Sequence, residues 1–279
     1  MAVDARRLAR DRSLRRRLAA FTPLVDAPRA ARLVERNLLV YRRTWMVIFS
    51  GFFEPLFYLL GIGFGIGALV GTVTGADGRS VPYQVFVAPA LLASSAMNGA
   101  IYDSTTNVFY KLKYAKTYEA VLTTPVGVAD VAVGEIVWAL VRGTLYALGF
   151  LVVMGALGLV SSPLWLLALP AAILIGFAFA SVGMALATWV RGWQDFDKLQ
   201  LVLLPMFLFS ATFYPLSAYP EPLRVVVELT PLYHGTDLLR GLTSGLVGPA
   251  QVVDVGYLVA MGLLGQAIVA RRLARLLLR

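Results

Sequence analysis

Long apolar runs without charge alternate along this chain with short segments rich in Arg and Lys. A helix needs about 20 apolar residues to cross a membrane, because backbone amides in lipid must be hydrogen-bonded within the segment. Between Arg142 and Arg191 lies one uncharged run of 48 residues, which Ser and Pro at 161–163 divide into a hairpin of two helices. Together the runs predict six spans, over about 44–70, 81–102, 131–160, 164–190, 199–215 and 251–270.

The composition agrees with a membrane protein and excludes a water-soluble fold. Hydrophobic residues make up 58% of the chain, charged residues 15%, and the mean hydropathy is +0.73. The net charge of +9 does not indicate nucleic-acid binding, because the basic residues lie at the chain ends and in short loops instead of on one face. We therefore predict an all-α integral membrane protein with six transmembrane helices (44–270).

The distribution of Lys and Arg predicts the orientation, since cytoplasmic loops carry an excess of positive charge. With the N-terminus inside, 21 of the 25 Lys and Arg residues lie on the inner side. Only Arg79, Arg224 and Arg240 lie on the outer side. Trp45 and Trp165 fall near span ends, where membrane interfaces favour aromatic side chains. Both termini are thus predicted to be cytoplasmic.

Residues 1–43 are predicted to form a basic cytoplasmic tail followed by an amphipathic helix, and residues 271–279 a second basic tail. The first 43 residues carry twelve arginines and no apolar signal-peptide core, so we expect the mature chain to begin near Met1. In the helix, Leu33, Leu38 and Tyr41 approximate one apolar stripe. Anchoring to anionic lipid and gripping a partner protein both explain such a helix.

The longest inner connection, 103–130, is predicted to be a cytoplasmic loop that contains an amphipathic helix ending at Pro125. Its charged residues include Lys111, Lys113, Lys116 and Glu119. A helix between two spans can insert into a cleft on a soluble partner and transmit its motion. It can also rest on the lipid headgroups, and amphipathicity alone leaves both interpretations open.

Three ionisable side chains fall inside predicted spans, where each needs a partner or a wet cavity: Glu54, Glu135 and Arg142. A rise of about 1.5 Å per residue gives Glu54 and Arg142 matching depths. We hypothesise that they form an interhelical ion pair, with Glu135 two turns below Arg142 as a second acceptor. A fixed packing bond and a proton or substrate relay both fit this arrangement. Span one also has overlapping GxxxG spacings, suited to contacts within the subunit or across a dimer, at Gly61, Gly63, Gly65, Gly67 and Gly71.

The connection between spans five and six is predicted to dip into the outer leaflet as one or two short helices, because prolines interrupt an otherwise apolar segment, 216–245. His234, the single histidine, is interpreted as a hydrogen-bonding loop residue in preference to a ligand or base. With no cysteine and no second histidine, the sequence predicts neither a metal site nor a catalytic centre.

The sequence lacks the GxxxxGK[ST] loop that cradles nucleotide phosphates, since no lysine follows a glycine. Any ATP must then be bound by a different polypeptide. Two other functional classes stay open at this point. One is an ion-coupled secondary transporter with Glu54 and Glu135 as proton sites, and the other is a non-transporting membrane assembly protein.

Five stretches carry a resemblance to a known family: SGFFEPLFYLLGIGFG (50–65), FVAPALLASSAMNGAIYDST (86–105), KYAKTYEAVLTTPV (113–126), LPMFLFSATFYPLSAYP (204–220) and PLYHGTDLLRGL (231–242). Together they resemble the ABC-2 family of export permeases, and most closely its branch of rhizobial nodulation-factor (lipo-oligosaccharide) permeases. The extended match over most of residues 35–245 is more specific than any single motif.

The resemblance implies a six-span permease half of the type V exporter kind in a prokaryotic inner membrane. It would pair with an identical or paralogous second half and with two ATP-binding subunits that hold ATP and Mg²⁺. Spans one and five would line the dimer interface and the export path. The substrate would be a lipid-linked molecule, a glycolipid or another amphipathic or hydrophobic compound such as a drug.

The resemblance also assigns roles to three sets of residues. An interface helix would include Arg32, Leu33, Arg36, Leu38 and Tyr41. A coupling helix gripped by the ATPase would include Lys113, Lys116, Thr117, Glu119, Leu122 and Thr124. Outer re-entrant helices would include Tyr219, Pro220, Pro231, His234 and Arg240.

Overall fold

The computed structural model describes residues 27–42, 46, 53, 55–75 and 78–277. Over these residues the chain is mostly helical. Its helices are α1 (Ala27–Arg42), α2 (Pro55–Val70), α3 (Tyr83–Lys113), α4 (Thr117–Val121), α5 (Val128–Ala156), α6 (Pro163–Ala187), α7 (Asp195–Leu208), α8 (Glu221–Glu228), α9 (Pro231–Ser244) and α10 (Pro249–Leu277). The basic tail before Ala27, Trp45 and Glu54 lie outside the described residues.

Four helices are long and apolar enough to cross a membrane: α3, α5, α6 and α10. They correspond to predicted spans two, three, four and six. Within the described residues, α2 is a shorter apolar helix, and α7 has 14 residues. Fourteen residues extend about 21 Å, less than the roughly 30 Å of a hydrocarbon core. A six-span count therefore stays a prediction.

Two predicted boundaries are corrected between α2 and α4. The connection after α2 is a small antiparallel hairpin, β1 (Thr72–Thr74) and β2 (Ser80–Pro82), which is a local exception in a mostly helical chain. The helix predicted to end at residue 102 continues as α3 to Lys113, through a widened turn over Asp103–Asn107. The prediction placed the end of the span before the first charged residue. The helix instead continues past Asp103 and Lys111, which are buried and paired with opposite charges.

The core is organised around α6, which packs against α3, α5 and α10. Small residues bring α6 and α10 close together. A Cβ atom added at Gly265 of α10 would lie 2.8 Å from the Ser181 carbonyl carbon and 2.9 Å from the Val182 nitrogen of α6. Such backbone contact is the usual packing mode of small residues between membrane helices.

Residues Ala27–Arg42 form a helix, α1, that lies against α5, and its place at the membrane surface stays a prediction. Leu33 is buried, and a Cβ added at Gly134 of α5 would lie 2.8 Å from the Leu33 Cβ. The predicted apolar stripe is wrong at Leu38, which is 57% exposed. Five residues turn a helix by about 500°, so Leu38 faces about 140° away from Leu33. Asn37, four residues after Leu33, occupies the buried face instead.

The segment between α7 and α10 contains a 3₁₀ turn (Leu216–Ala218) and two helices, α8 and α9, and prolines flank these pieces as predicted. Pro220 directly precedes α8, and Pro231 is the first residue of α9. Proline suits a first helical turn because its missing N–H would have no partner there. Of the two, α9 packs against both α3 and α10. The predicted depth of these helices in a membrane stays a prediction.

Candidate functional site

A cavity of about 660 Å³ opens between α2, α3, α5 and α7. Its walls are mostly apolar and aromatic, including Tyr58, Leu91 and Phe207. Polar groups also reach it: Ser94, Ser95, Asn98, Asp103, Thr105, Thr106, Arg142, Tyr146 and Gln200. A concave site in which apolar walls meet convergent polar groups is suited to a small molecule.

An ion pair between Arg142 of α5 and Asp103 of α3 forms the charged part of this lining. The guanidinium Nη1 donates to Asp103 Oδ1 at 2.6 Å, and both side chains are buried. Nη1 also lies 3.3 Å from the Tyr41 hydroxyl, and Nη2 donates to the Tyr146 hydroxyl at 3.0 Å. Two tyrosine hydroxyls thus add polar contacts to this pair, which reduces the cost of burying two charges.

A second buried ion pair joins the same two helices, α3 and α5, about two helical turns from the first. Lys111 Nζ of α3 donates to both Glu135 carboxylate oxygens of α5, at 2.9 and 2.7 Å. Asn37 of α1 accepts from Lys111 at 3.2 Å and donates to Glu135 at 3.3 Å. Tyr118 of α4 is fully buried beside Glu135; burial, and then the Glu135 charge, raise the pKa of the Tyr118 hydroxyl. This cluster therefore joins α1, α3, α4 and α5.

The ion pairs in the structure differ from the hypothesis that Arg142 pairs with Glu54 and Glu135. Glu54 lies outside the described residues. Glu135 is held by Lys111, so the prediction that it is a second acceptor for Arg142 is wrong. Asp103 and Lys111, placed in a loop by the sequence analysis, are the actual partners. Asp103 and Lys111 are eight residues apart on α3, and Glu135 and Arg142 are seven residues apart on α5. Because α3 and α5 run antiparallel, this spacing brings each acid opposite a base. The two matching spacings could have been read from the sequence.

The predicted coupling segment follows α3 directly. Lys113 ends α3, and Lys116 adopts a left-handed conformation, with φ of 47°, before α4. Lys113, Lys116, Glu119 and Thr124 are exposed. Thr117 and Leu122 are half-buried, so the segment presents polar side chains outward and rests on the cluster through Tyr118.

The other predicted residues fall into two places. Arg32 and Arg36 are exposed on α1, where Arg32 pairs with Glu35 at 2.9 Å. Arg240 donates to the carbonyls of Ala211 and Thr212 at 2.6 and 3.1 Å.

Arg240 thereby holds the bend that follows α7, where Ala211 has a φ of 53°. Tyr219 is buried, with its ring 4.7 Å from that of Tyr214. His234 lies in α9 instead of a loop and contacts Asp254 of α10, a partner that the sequence analysis did not identify.

Comparison with known proteins gives consistent matches over most of the chain. Residues 30–243 match the family model described as ABC-2 type transporter. Nodulation protein J of Rhizobium leguminosarum bv. trifolii is 33% identical over 250 residues, which cover 86% of this chain and 92% of that protein. Nodulation protein J of Rhizobium meliloti (strain 1021) is 32% identical over 248 residues, with 85% and 91% covered. Nodulation protein J of Sinorhizobium fredii is 34% identical over 207 residues, with 74% and 77% covered.

Proposed function

The chain belongs to the ABC-2 type transporter family, and on this premise we propose that it is the permease subunit of an ATP-driven exporter of an amphipathic substrate. The cavity is the single observation that carries the proposal. Apolar walls suit a lipid or another hydrophobic portion, and the side chains of Asn98, Gln200 and the Arg142–Asp103 pair suit a hydroxylated or charged headgroup. Lipid-linked saccharides and other glycolipids combine these two properties.

ATP and Mg²⁺ are proposed to be bound by two copies of a separate ATP-binding subunit. The exposed polar residues between Lys113 and Thr124 supply a surface for that subunit. Tyr118 of α4 is fully buried beside the cluster of Asn37, Lys111 and Glu135, so a displacement of α4 would be transmitted to α1, α3 and α5 through side-chain packing. Alternating closure of the export path would follow from rigid-body motion of these helices.

A second permease half is proposed to cover α7 and the outward face of α2. Helix α7 has no buried residue, and Leu201 and Val202 are 79% and 64% exposed. On α2, Leu69 is 89% exposed. Lipid could also cover these apolar side chains. However, α2 and α7 border the cavity, so a second permease half packed against them would also close the open side of the cavity. Either an identical or a paralogous half fits this surface.

We also propose that the chain crosses a prokaryotic inner membrane six times and has both termini in the cytoplasm. The positive-inside distribution of Lys and Arg supports this orientation. The alternative of ion-coupled transport through Glu135 has less support, because Lys111 and Asn37 already satisfy that carboxylate.

The proposal is tested by export from cells that lack the chain and carry a plasmid-borne copy. Wild-type protein should restore release of the amphiphile, and Gln200→Leu should reduce it, because an apolar side chain replaces a headgroup contact in the cavity. Leu264→Ala, a change on the exposed face of α10 that lies outside both the cavity and the proposed interface, is the matched control for expression. Export that persists after ATP depletion and stops with a proton uncoupler would assign the chain to an ion-coupled transporter.

A further inference from the structure

An open groove runs along the exposed face of α1, near the C-terminal end of this helix. Two arginines, Arg36 and Arg42, line it together with Leu39 and Val40. All four side chains are exposed, Leu39 by 60% and Val40 by 52%. None of the four lines the cavity of the proposed export path. Guanidinium groups and apolar side chains therefore share one surface outside the site already described.

The charge of α1 is strongly positive. Its sequence contains four arginines and a single carboxylate, Glu35, which pairs with Arg32 at 2.9 Å. Arg29, Arg32 and Arg36 are exposed and fall within an arc of about 60°, because seven residues complete nearly two helical turns. A phosphate group accepts two parallel N–H bonds from one guanidinium, so this stripe of arginines suits a phosphate-containing ligand.

The contacts between α1 and α5 order the groove residues by depth. Leu33 of α1 packs on Gly134 of α5, and the Tyr41 hydroxyl lies 3.3 Å from Arg142, about 12 Å further along α5. The two helices therefore run in the same direction. With the start of α5 on the cytoplasmic side, as proposed, the C-terminal end of α1 lies deeper in the membrane. The two apolar groove residues follow Arg36 by about 5–6 Å, in the order in which acyl chains follow headgroups in a leaflet.

We propose that the groove on α1 binds an anionic phospholipid of the cytoplasmic leaflet. Arg36 holds the phosphate, and Leu39 and Val40 contact the upper part of an acyl chain. Arg42 reaches back to the headgroup along its own methylene groups. A zwitterionic lipid is a weaker ligand, because the arginines repel its ammonium group. The site rests on the proposed membrane orientation and does not depend on the proposed export activity.

A lipid fits this groove better than the surface of a soluble protein does. The apolar pair in the groove would meet hydrocarbon at this depth, whereas a soluble ATP-binding subunit would reach only the cytoplasmic surface. The surface proposed for that subunit lies on a different segment, 113–124. An anion joined to an acyl chain is the ligand that complements both the charge and the apolar part of the groove.

Lipid binding should also hold α1 against the rest of the protein. Asn37, the residue after Arg36, accepts from Lys111 and donates to Glu135. A ligand that binds the folded helix and not the unfolded chain stabilises the folded state by mass action. Anionic lipid should therefore raise the melting temperature of the full chain more than zwitterionic lipid does.

Native mass spectrometry of the full chain in detergent measures the site directly, because each bound lipid is resolved by its mass. The probes are phosphatidylglycerol and phosphatidylcholine with the same acyl chains, and glycerol phosphate, which has the anion without an acyl chain. Wild-type protein should bind phosphatidylglycerol, and it should bind each of the other two probes about tenfold or more weakly. Equal binding of glycerol phosphate would show that the groove takes a free phosphate and would overturn the lipid assignment.

Substitutions separate the groove from general attraction by basic residues. Arg36→Gln combined with Arg42→Gln removes both guanidinium groups from exposed positions, and glutamine is a comparably good helix former. A basic residue near an anionic lipid contributes a factor of about five, so this variant should bind phosphatidylglycerol about 25-fold more weakly. Arg271→Gln combined with Arg275→Gln removes two exposed charges from the proposed cytoplasmic end of α10 and should leave binding unchanged. Leu39→Asn keeps the charge and should still weaken binding.

The same variants define the results that would overturn the proposal. Full phosphatidylglycerol binding by the α1 double variant would place the lipid elsewhere, and an equal loss in the α10 variant would show that any basic surface attracts it. Retained lipid binding by the α1 variant, together with loss of a copurifying ATP-binding subunit, would assign the groove to that protein. The proposal expects phosphatidylglycerol to raise the melting temperature of wild-type protein and of the α10 variant, but not of the α1 variant.

Discussion

Removing the Arg142 charge should destabilise the chain strongly, because Asp103 would be left buried without a counterion. The carboxylate accepts from Arg142 at 2.6 Å, and its side chain is only 4% exposed, so the lost donor would leave a largely desolvated negative charge. Breaking a buried pair by removing one partner costs about 3–5 kcal/mol. For a chain of this length, about 2–4 °C of melting temperature per kcal/mol gives a decrease on the order of 10 °C for Arg142→Met.

A double-mutant cycle separates this effect from lost packing. Asp103→Leu combined with Arg142→Met removes both charges, and replacing a buried ion pair by apolar residues is often neutral. The double variant should therefore recover most of the stability, with a coupling energy of about 2–3 kcal/mol. The assay is thermal unfolding of purified protein in one detergent, followed by tryptophan fluorescence.

The exposed pair of Asp195 and Lys198 supplies the control for this cycle, because Lys198 is 80% exposed and surface pairs contribute about 1 kcal/mol or less. Asp195→Asn should change the melting temperature by only a few degrees. A melting temperature for Arg142→Met equal to that of wild-type protein, or strictly additive effects in the double variant, would refute the argument from burial.

Other substitutions test the helix contacts and the proposed coupling. Tyr41→Phe should lower the free energy of unfolding by about 0.5–1.5 kcal/mol, because Arg142 loses a hydroxyl partner, whereas Leu38→Ala on the exposed face should be neutral in the same melting assay. Gly265→Leu should cost about 1–3 kcal/mol by overpacking α6 against α10, whereas Gly256→Leu, which meets open space, should not. Glu119→Lys should reduce substrate-stimulated ATP hydrolysis by the assembled transporter without changing membrane insertion; unchanged stimulation would argue against a coupling role for α4.

Hydrophobic patterning predicted the helical elements well, because a membrane span must satisfy its backbone within a single helix. The four long helices and α1 fall close to their predicted positions. Patterning failed at the end of α3, where Asp103 and Lys111 were treated as loop residues. Paired charges can lie within one continuous helix, and the partner on another helix is not visible in a count of uncharged runs.

The candidate site was predictable only in part for the same reason. Arg142 and Glu135 were predicted to need partners because they are ionisable groups in apolar runs, and in the structure Arg142 pairs with Asp103 and Glu135 pairs with Lys111. Those partners could not be identified from the sequence, because they depend on the relative positions of α3 and α5 along their axes. His234 shows the same limit, since Asp254 lies 20 residues later and meets it only after α9 folds back onto α10.

The central claim, that this chain exports an amphiphile with energy from a separate ATP-binding subunit, is tested most directly by translocation in proteoliposomes. The chain and its ATP-binding partner would be reconstituted with a fluorescent lipid-linked saccharide, and its transfer to the opposite leaflet would be measured. The account predicts transfer that requires both proteins and ATP hydrolysis, and that stops when the phosphate-binding lysine of the partner is replaced. Equal transfer by this chain alone, driven by an imposed proton gradient without ATP, would contradict it.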